Sequence, residues 1–134
     1  MDEYWTVLLS VVFGALGYLI TTFWVAPLIR YREAKHQIYS DLVFFANALG
    51  YQPRTEPHVQ RVLDRLDSNR RTASELLATA NELPRLYKLL LRCRKEDPSR
   101  AASELLGLSN SVDEEVNLAR IRRIEECLHL PPSI

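Results

Sequence analysis

The sequence predicts an all-α protein: one N-terminal transmembrane helix in residues 1–29, then a small cytoplasmic bundle of four or five helices in residues 30–134. The first observation is a run of twenty-six residues, Tyr4 to Ile29, without Asp, Glu, Lys, Arg or His. As a helix this run reaches about 39 Å, more than the roughly 30 Å hydrocarbon core of a bilayer. The second is the rest of the chain, where apolar residues recur at helical spacing and strand-like alternation is absent.

The residues around the apolar run favour a retained anchor over a cleaved signal peptide. A signal peptide begins with basic residues and ends in a small-x-small cleavage site. Here the start, Met1-Asp2-Glu3, is acidic, and the run ends in Trp24-Val25-Ala26-Pro27. We therefore expect the chain to keep its anchor in the bilayer.

Basic residues follow the apolar run but do not precede it, and this asymmetry predicts the orientation. Arg30, Arg32 and Lys35 lie just after the run, and Lys and Arg stay on the cytoplasmic side of a membrane. We expect a single pass through the cell (inner) membrane, with the N-terminus outside and the C-terminal domain in the cytoplasm. Trp5 and Trp24, about 28 Å apart at the helical rise, are spaced to occupy the two headgroup levels.

Small residues in the span offer a possible helix contact. Ser10 and Gly14 form a small-xxx-small pair, and Gly17 follows three residues later, so there is no GxxxG motif. Near the exit, Pro27 predicts a kink or a helix restart. Good helix formers then continue to Gly50, so we expect the first cytoplasmic helix to be continuous with the anchor or only kinked from it.

Prolines, glycines and capping residues divide the rest of the chain into helices. The first is expected from about Leu28 to Leu49. The second begins at the cap Thr55, with a possible bend or break at Asp67-Ser68-Asn69. Pro84 restarts the chain in a third, strongly apolar helix.

Two further helices complete the predicted bundle. Asp97 caps a short helix that ends near Gly107, and Ser111 with Glu114 forms a capping box for the last helix, which runs to about Leu128. Short connections favour antiparallel neighbours and hence a compact bundle. Its core is predicted to depend on five apolar side chains: Leu42, Phe45, Leu76, Leu90 and Leu105.

Asparagine recurs in three similar stretches, residues 41–49, 75–83 and 104–112, each reading acidic, Leu, apolar, two variable, small, Asn, variable, apolar. Asn47, Asn81 and Asn110 are therefore candidate structural polar residues. They are explained either by helix-end chemistry or, for Asn47, by a polar residue that fixes the register of the bundle. The spacing is close to that of tetratricopeptide repeats, but the other residues of that repeat are missing.

The segments Phe44-Phe45-Ala46-Asn47 and Leu105-Leu106-Gly107-Leu108-Ser109-Asn110-Ser111 carry a resemblance. The chain resembles small single-pass bacterial membrane proteins of unknown function, in which an aromatic-Ala-Asn motif and a Leu-x-Gly-Leu-Ser-Asn-Ser motif flank a helical middle. The resemblance covers residues 1 to about 130. It implies an anchor and a helical domain, and it brings no activity and no catalytic residues.

Composition narrows the function classes. The formal net charge is zero, whereas nucleic-acid-binding domains are usually strongly basic, so we expect no nucleic-acid partner. Cys93 and Cys127 belong to a domain predicted to be cytoplasmic, where thiols stay reduced. The three histidines lack metal-ligand spacing, and nucleophile elbows, phosphate loops and zinc-protease motifs are absent. We predict no catalytic, cofactor or metal site and no small-molecule substrate.

Two functions remain open on the sequence. The first is a membrane-anchored helical interaction or regulatory module at the cytoplasmic face, whose partners are the lipid bilayer and a protein partner or a second copy. The second is a small membrane-active effector, such as a toxin, lysis or defence component, whose span oligomerises in the bilayer. A pore-former is favoured by a polar stripe along the span. Here the polar residues that interrupt the apolar span, such as Ser10, Thr21 and Thr22, are few, so the first function is preferred.

Overall fold

The computed structural model describes residues 2–46, 56–111 and 113–133, and this part of the chain is helical without a strand. A π-helical turn, Thr21–Val25, joins the first two of its α-helices. The α-helices are α1 (Asp2–Ile20), α2 (Ala26–Phe44), α3 (Glu56–Glu82), α4 (Arg85–Cys93), α5 (Pro98–Ser109) and α6 (Glu114–Leu128). The all-α prediction is confirmed, with an apolar N-terminal helix followed by a helical region.

The apolar segment and the first bundle helix form one continuous helix, Tyr4–Phe44, which is long and apolar enough to cross a membrane. Continuity was predicted; the π turn before Pro27 was not. Pro27 has no N–H, and its ring crowds the carbonyl four residues earlier. The turn relieves this crowding because Ala26 N–H donates to the Thr21 carbonyl, five residues back. The helix therefore passes the proline without a break.

The core lies where α3 packs against α2 and α5, with α6 covering the other side of α5. Leu42, Leu76 and Leu105 are buried, as predicted. Phe45 is only half-buried. The prediction for Leu90 is wrong, since this side chain is 47% exposed. In α4 the neighbouring Leu91 points inward, and successive helical side chains are turned by about 100°.

The polar segment of α3 neither bends nor breaks the helix. Ser68 Oγ donates to Asp41 Oδ2 on α2 at 2.5 Å, and Asn69 is buried. Arg65, one turn earlier, is 2% exposed, and burial lowers the pKa of its guanidinium. The polar residues thus belong to the packing of α3, which apolar periodicity alone could not reveal. The predicted cap Thr55 lies outside the described residues, as does Leu49.

The α5–α6 connection differs in detail from the prediction. Helix α5 does not end at Gly107 but continues to Ser109, with Asn110 as its C-cap. Gly107 leaves room for the side chain of Arg120, since a Cβ there would lie 2.0 Å from its Nη1 and the guanidinium would have to shift. The cap of α6 is not Ser111 but Asp113, whose carboxylate accepts from the N–H groups of Glu115 and Val116. An aspartate one residue before Glu114 thus takes the capping position.

This correction can be tested by substitution at the two candidate caps. Asp113→Ala is expected to lower the free energy of unfolding by about 1 kcal/mol, because it leaves two N–H groups of α6 without their acceptor. Ser111→Ala is the control and should cost less, since among the described residues the Ser111 hydroxyl accepts from one N–H group, that of Asp113. Chemical denaturation of both variants, followed by circular dichroism, ranks them. A larger loss of stability for Ser111→Ala would mean that Ser111 is the N-cap of α6, as the capping-box pattern predicted.

Candidate functional site at the junction of the apolar helix and the bundle

The apolar helix presents all of its described side chains to the surroundings, and from Tyr4 to Val25 every residue is exposed. Trp5 is 64% exposed and Trp24 is 47% exposed, near the two ends of this segment. Gly14 and Gly17 leave open space where a Cβ would be. Their use in helix contact, together with Ser10, stays a prediction.

The three candidate asparagines are not brought together. Asn81 is exposed near the end of α3, and Asn110 is exposed at the end of α5, where its Oδ1 accepts from Arg70 at 3.3 Å. Asn47 lies outside the described residues. A different asparagine, Asn117 of α6, is completely buried and donates from Nδ2 to the Ser111 carbonyl at 3.2 Å. No repeat marks Asn117 in the sequence, so the pattern pointed elsewhere.

The basic residues after the apolar segment divide into two groups. Arg30 reaches Glu82 at the end of α3, with 3.2 Å between Nη1 and Oε2, and both side chains are more than half exposed. Arg32 is also exposed. Lys35 instead turns into the protein, where its ammonium forms an ion pair with Glu96 and its side chain is 20% exposed. Arg30 and Arg32 therefore remain at the surface predicted to face lipid, whereas Lys35 does not.

The functional candidate is a cluster of four residues, Tyr31, Lys35, Tyr87 and Glu96, which we call the junction cluster. Its centre is the Glu96 carboxylate, whose Oε1 accepts from Tyr31 Oη at 3.3 Å and from Lys35 Nζ. The rings of Tyr31 and Tyr87 meet edge to face with centroids 6.3 Å apart. Burial, and then the charge of Glu96, raises the pKa of Tyr31 far above its ordinary value of 10.0.

Helix α4 and its C-terminal turn place Glu96 against α2. Lys95 adopts a left-handed φ of 58°, and the Glu96 N–H then donates to the Leu91 carbonyl at 2.9 Å, which closes the helix. Helix α6 holds the same turn from the other side: Asp97 N–H donates to the Cys127 carbonyl at 2.9 Å. The cluster is therefore fixed by three segments that are distant in the sequence.

A cavity of about 500 Å³ opens beside the junction cluster. Its lining includes aromatic rings and the side chains of Arg32, His36 and Arg94. Among the described residues that line this cavity, Glu96 is the one carboxylate, and it already accepts from Tyr31 and Lys35, so the other charged groups of the lining are cationic. Groups of three or more His, Cys, Asp or Glu that could hold a metal ion do not occur among the described residues.

Sequence reasoning did not identify Glu96 or Tyr31 as partners. The two residues are 65 positions apart, and a glutamate in the charged run after α4 is typical of a solvated surface. The one signal in the sequence for a special role of Tyr31 was its position, since it is an aromatic residue directly after Arg30. Comparisons add no relative: no protein-family model, curated protein or solved structure matches the chain.

Alkaline pH is expected to destabilise the bundle through Tyr31. The pKa of this residue is raised in the folded state, so its stabilising effect is complete below pH 10 and is lost as the pH rises above 10, where the unfolded chain ionises first. One unit above that value the loss from this group is about 1.4 kcal/mol. Chemical denaturation should give a lower free energy of unfolding at pH 11 than at pH 9 in the native chain, and a smaller difference in Tyr31→Phe. An unchanged difference in that variant would mean that another group is the one that titrates.

Proposed function

We propose that the protein is a single-pass membrane-anchored helical interaction or regulatory module, with its bundle at the cytoplasmic face. One observation carries this proposal: the single helix Tyr4–Phe44 contains both a segment long and apolar enough to cross a membrane and a segment that packs in the bundle. Its first part is exposed throughout. Its second part contributes Tyr31, Ile38 and Leu42 to the core. A bundle attached in this way keeps a fixed relation to the membrane instead of moving on a flexible linker.

The junction cluster supports a structural and interaction role over catalysis. A general acid or base needs a titratable group within reach of a substrate. The carboxylate of Glu96 is directed at Tyr31 and Lys35 inside the protein, and its side chain is only 3% exposed. This arrangement ties α4 to α2, and the surfaces of the bundle remain free for a protein partner or a second copy.

The alternative, a membrane-active effector, is less well supported. A pore lined by this helix needs polar groups directed outward. The hydroxyl of Ser10 donates to the Thr6 carbonyl at 2.8 Å, and that of Thr21 donates to the Gly17 carbonyl at 2.8 Å. Both hydroxyls are thus satisfied within their own helix. Purified protein added to dye-loaded vesicles should release no more dye than an unrelated single-span protein, and strong release would favour the effector.

The orientation is tested by reporter fusions after Ile134. Because Arg30, Arg32 and Lys35 follow the span, alkaline phosphatase, which is active only outside the cytoplasm, is expected to be silent. A fluorescent protein that matures in the cytoplasm should be bright at the same position. The reverse pattern would contradict the proposed orientation.

The interaction role is tested by exchanging the anchor. Residues 1–24 are replaced by an unrelated transmembrane helix, and cross-linking through photoreactive residues on the bundle is compared in intact cells. An interaction module should keep its cross-linked species, because its surfaces lie after residue 30. A protein that acts through its span should lose them. The chain without any anchor is the control for the contribution of the membrane.

A further inference from the structure

Helix α4 has three distinct faces. Tyr87 and Leu91, four residues apart, point into the protein and pack on the core. Basic side chains occupy a second face, with Arg85, Lys88 and Arg92 at steps of three and four. The third face is apolar and unpartnered. It consists of Leu86, Leu89, Leu90 and Cys93, which we call the leucine face.

The leucine face is open to the surroundings. Leu86 is 63% exposed, Leu89 57% and Leu90 47%, and Cys93 is also exposed. On a helical wheel at about 100° per residue these four side chains fall within one arc of about 100°. Isolated exposed leucines are ordinary, but three within five consecutive residues on one side of a helix form a patch, and such patches mark interaction sites.

The position of α4 places this patch at the level where the apolar helix enters the bundle. Glu82, two residues before Pro84, pairs with Arg30. Tyr87 packs on Tyr31, and the turn after α4 reaches Tyr31 and Lys35. All of these contacts fall within residues 30–35 of α2, about 8 Å along its axis, whereas α4 itself is about 13 Å long. Helix α4 and the residues on either side of it therefore meet α2 close to the end of the apolar segment.

The charge of α4 matches a negative surface. Within Arg85–Cys93 there are three basic residues and no acidic one. Arg85 and Arg92 are exposed, and the exposed Arg30 and Arg32 of α2 lie at the same level. Lys88 leans back onto the end of α3, donating from Nζ to the Asn81 carbonyl at 2.8 Å. Leucines beside arginines on a short helix are the composition of a helix that lies in a membrane interface.

We propose that α4 is an interfacial helix whose leucine face inserts into the cytoplasmic leaflet, with Arg85 and Arg92 on anionic lipid headgroups. This inference rests on the proposed anchoring and adds a second contact with the bilayer. Insertion removes from water the exposed surface of Leu86, Leu89 and Leu90. Because the junction cluster ties α4 to α2, the contact fixes the rotation of the bundle about its anchor as well as its distance from the membrane.

The test is a fluorophore on Cys93 in the full chain, reconstituted in nanodiscs that contain a lipid-borne quencher. Cys127 is replaced by Ser so that one thiol remains; its burial already raises the pKa of that thiol and lowers its reactivity. In discs with phosphatidylglycerol the probe is expected to be strongly quenched, and less so in phosphatidylcholine alone. The control carries the probe at Glu114→Cys, at the other end of α6 from Leu128, and should stay unquenched in both.

Two variants separate the apolar and the electrostatic parts. The triple variant Leu86→Ser/Leu89→Ser/Leu90→Ser should lose the quenching at Cys93 while retaining its helix content, since these side chains lie outside the core. Arg85→Gln and Arg92→Gln should each shift the docked-to-undocked ratio in anionic discs by about fivefold, as expected for one basic residue near such a surface. Undiminished quenching in the triple variant would overturn the proposal.

The remaining outcomes distinguish failure of this inference from failure of the anchoring. If the chain enters the discs but the Cys93 probe behaves like the Glu114→Cys probe, α4 does not touch lipid, while the anchored module stands. If quenching at Cys93 changes with the number of chains per disc but is the same in anionic and neutral lipid, a second copy covers the leucine face, and the inference is wrong. If the chain does not enter discs at all, both proposals fail.

Discussion

Leu105→Ala is expected to lower the free energy of unfolding of the bundle by about 2–5 kcal/mol, the range for truncating a buried leucine. Leu105 is 1% exposed, on the helix that packs against both α3 and α6. Those helices cannot close on the space without moving relative to one another, so we expect a residual cavity. Small domains have only about 5–15 kcal/mol of stability in total, so this single change should remove a large part of it.

The matched control is the next residue, Leu106, which is 40% exposed. Leu106→Ala should cost clearly less stability than Leu105→Ala, because 40% of Leu106 is already exposed to water whereas Leu105 is buried. Both variants are measured in the full chain in nanodiscs, by urea denaturation followed by circular dichroism. Equal losses for the two would mean that α5 is rotated from the orientation described here.

The contrast between inward-facing and outward-facing leucines also explains which parts of the fold were predicted well from the sequence. Helical periodicity identified α2, α3 and α5 and the buried leucines Leu42, Leu76 and Leu105, because long amphipathic helices repeat the inward position several times. Helix α4 was less predictable. Its leucines at 86, 89, 90 and 91 occupy more than half of the helix circumference, so apolar character alone did not say which of them faces the core. Leu90 was assigned to the core for this reason.

Local signals also failed where one residue competed with its neighbour. Ser111 and Glu114 satisfy a capping-box pattern, but Asp113 is a good N-cap as well, and the choice depends on the path of the chain from α5. In the structure the side chain of Arg120 on α6 lies against Gly107 of α5, a contact that local patterns do not reveal. Similarly, Pro27 predicted a kink or a helix restart, and the helix formers after it predicted continuity, but the sequence did not reveal that a π turn carries the helix past the proline.

The junction cluster was beyond sequence reasoning because its partners come from distant segments. Each residue alone has an ordinary explanation: a tyrosine and a lysine after the anchor, and a glutamate in a charged run. From such local interpretations we would expect the substitution of any one acidic residue to have little effect on stability. The burial of Glu96 changes that expectation for this one residue, and a substitution there should now have a large effect.

Glu96→Ala is expected to destabilise the bundle by about 3 kcal/mol. Removal of one partner from a buried ion pair typically costs about 3–5 kcal/mol, because the remaining charge is left uncompensated. Here the Lys35 side chain is 20% exposed, so water recovers part of the loss, and we expect the lower end. The Tyr31 hydroxyl loses its acceptor as well. The measurement is urea denaturation of the full chain, with Arg30→Ala as a control at an exposed pair, where the cost should be below about 1 kcal/mol.

A double substitution shows whether the loss comes from the unpaired charge or from the missing packing. In Glu96→Leu/Lys35→Met both charges are replaced by apolar groups of similar size, and such replacements are often neutral or stabilising. The double variant should therefore be more stable than Glu96→Leu alone. If the two are equally destabilised, Lys35 was not held by Glu96. If stability recovers while the quenching of the Cys93 probe in anionic discs is also retained, apolar packing is sufficient to hold α4 against α2, and the ion pair contributes to stability without orienting the leucine face.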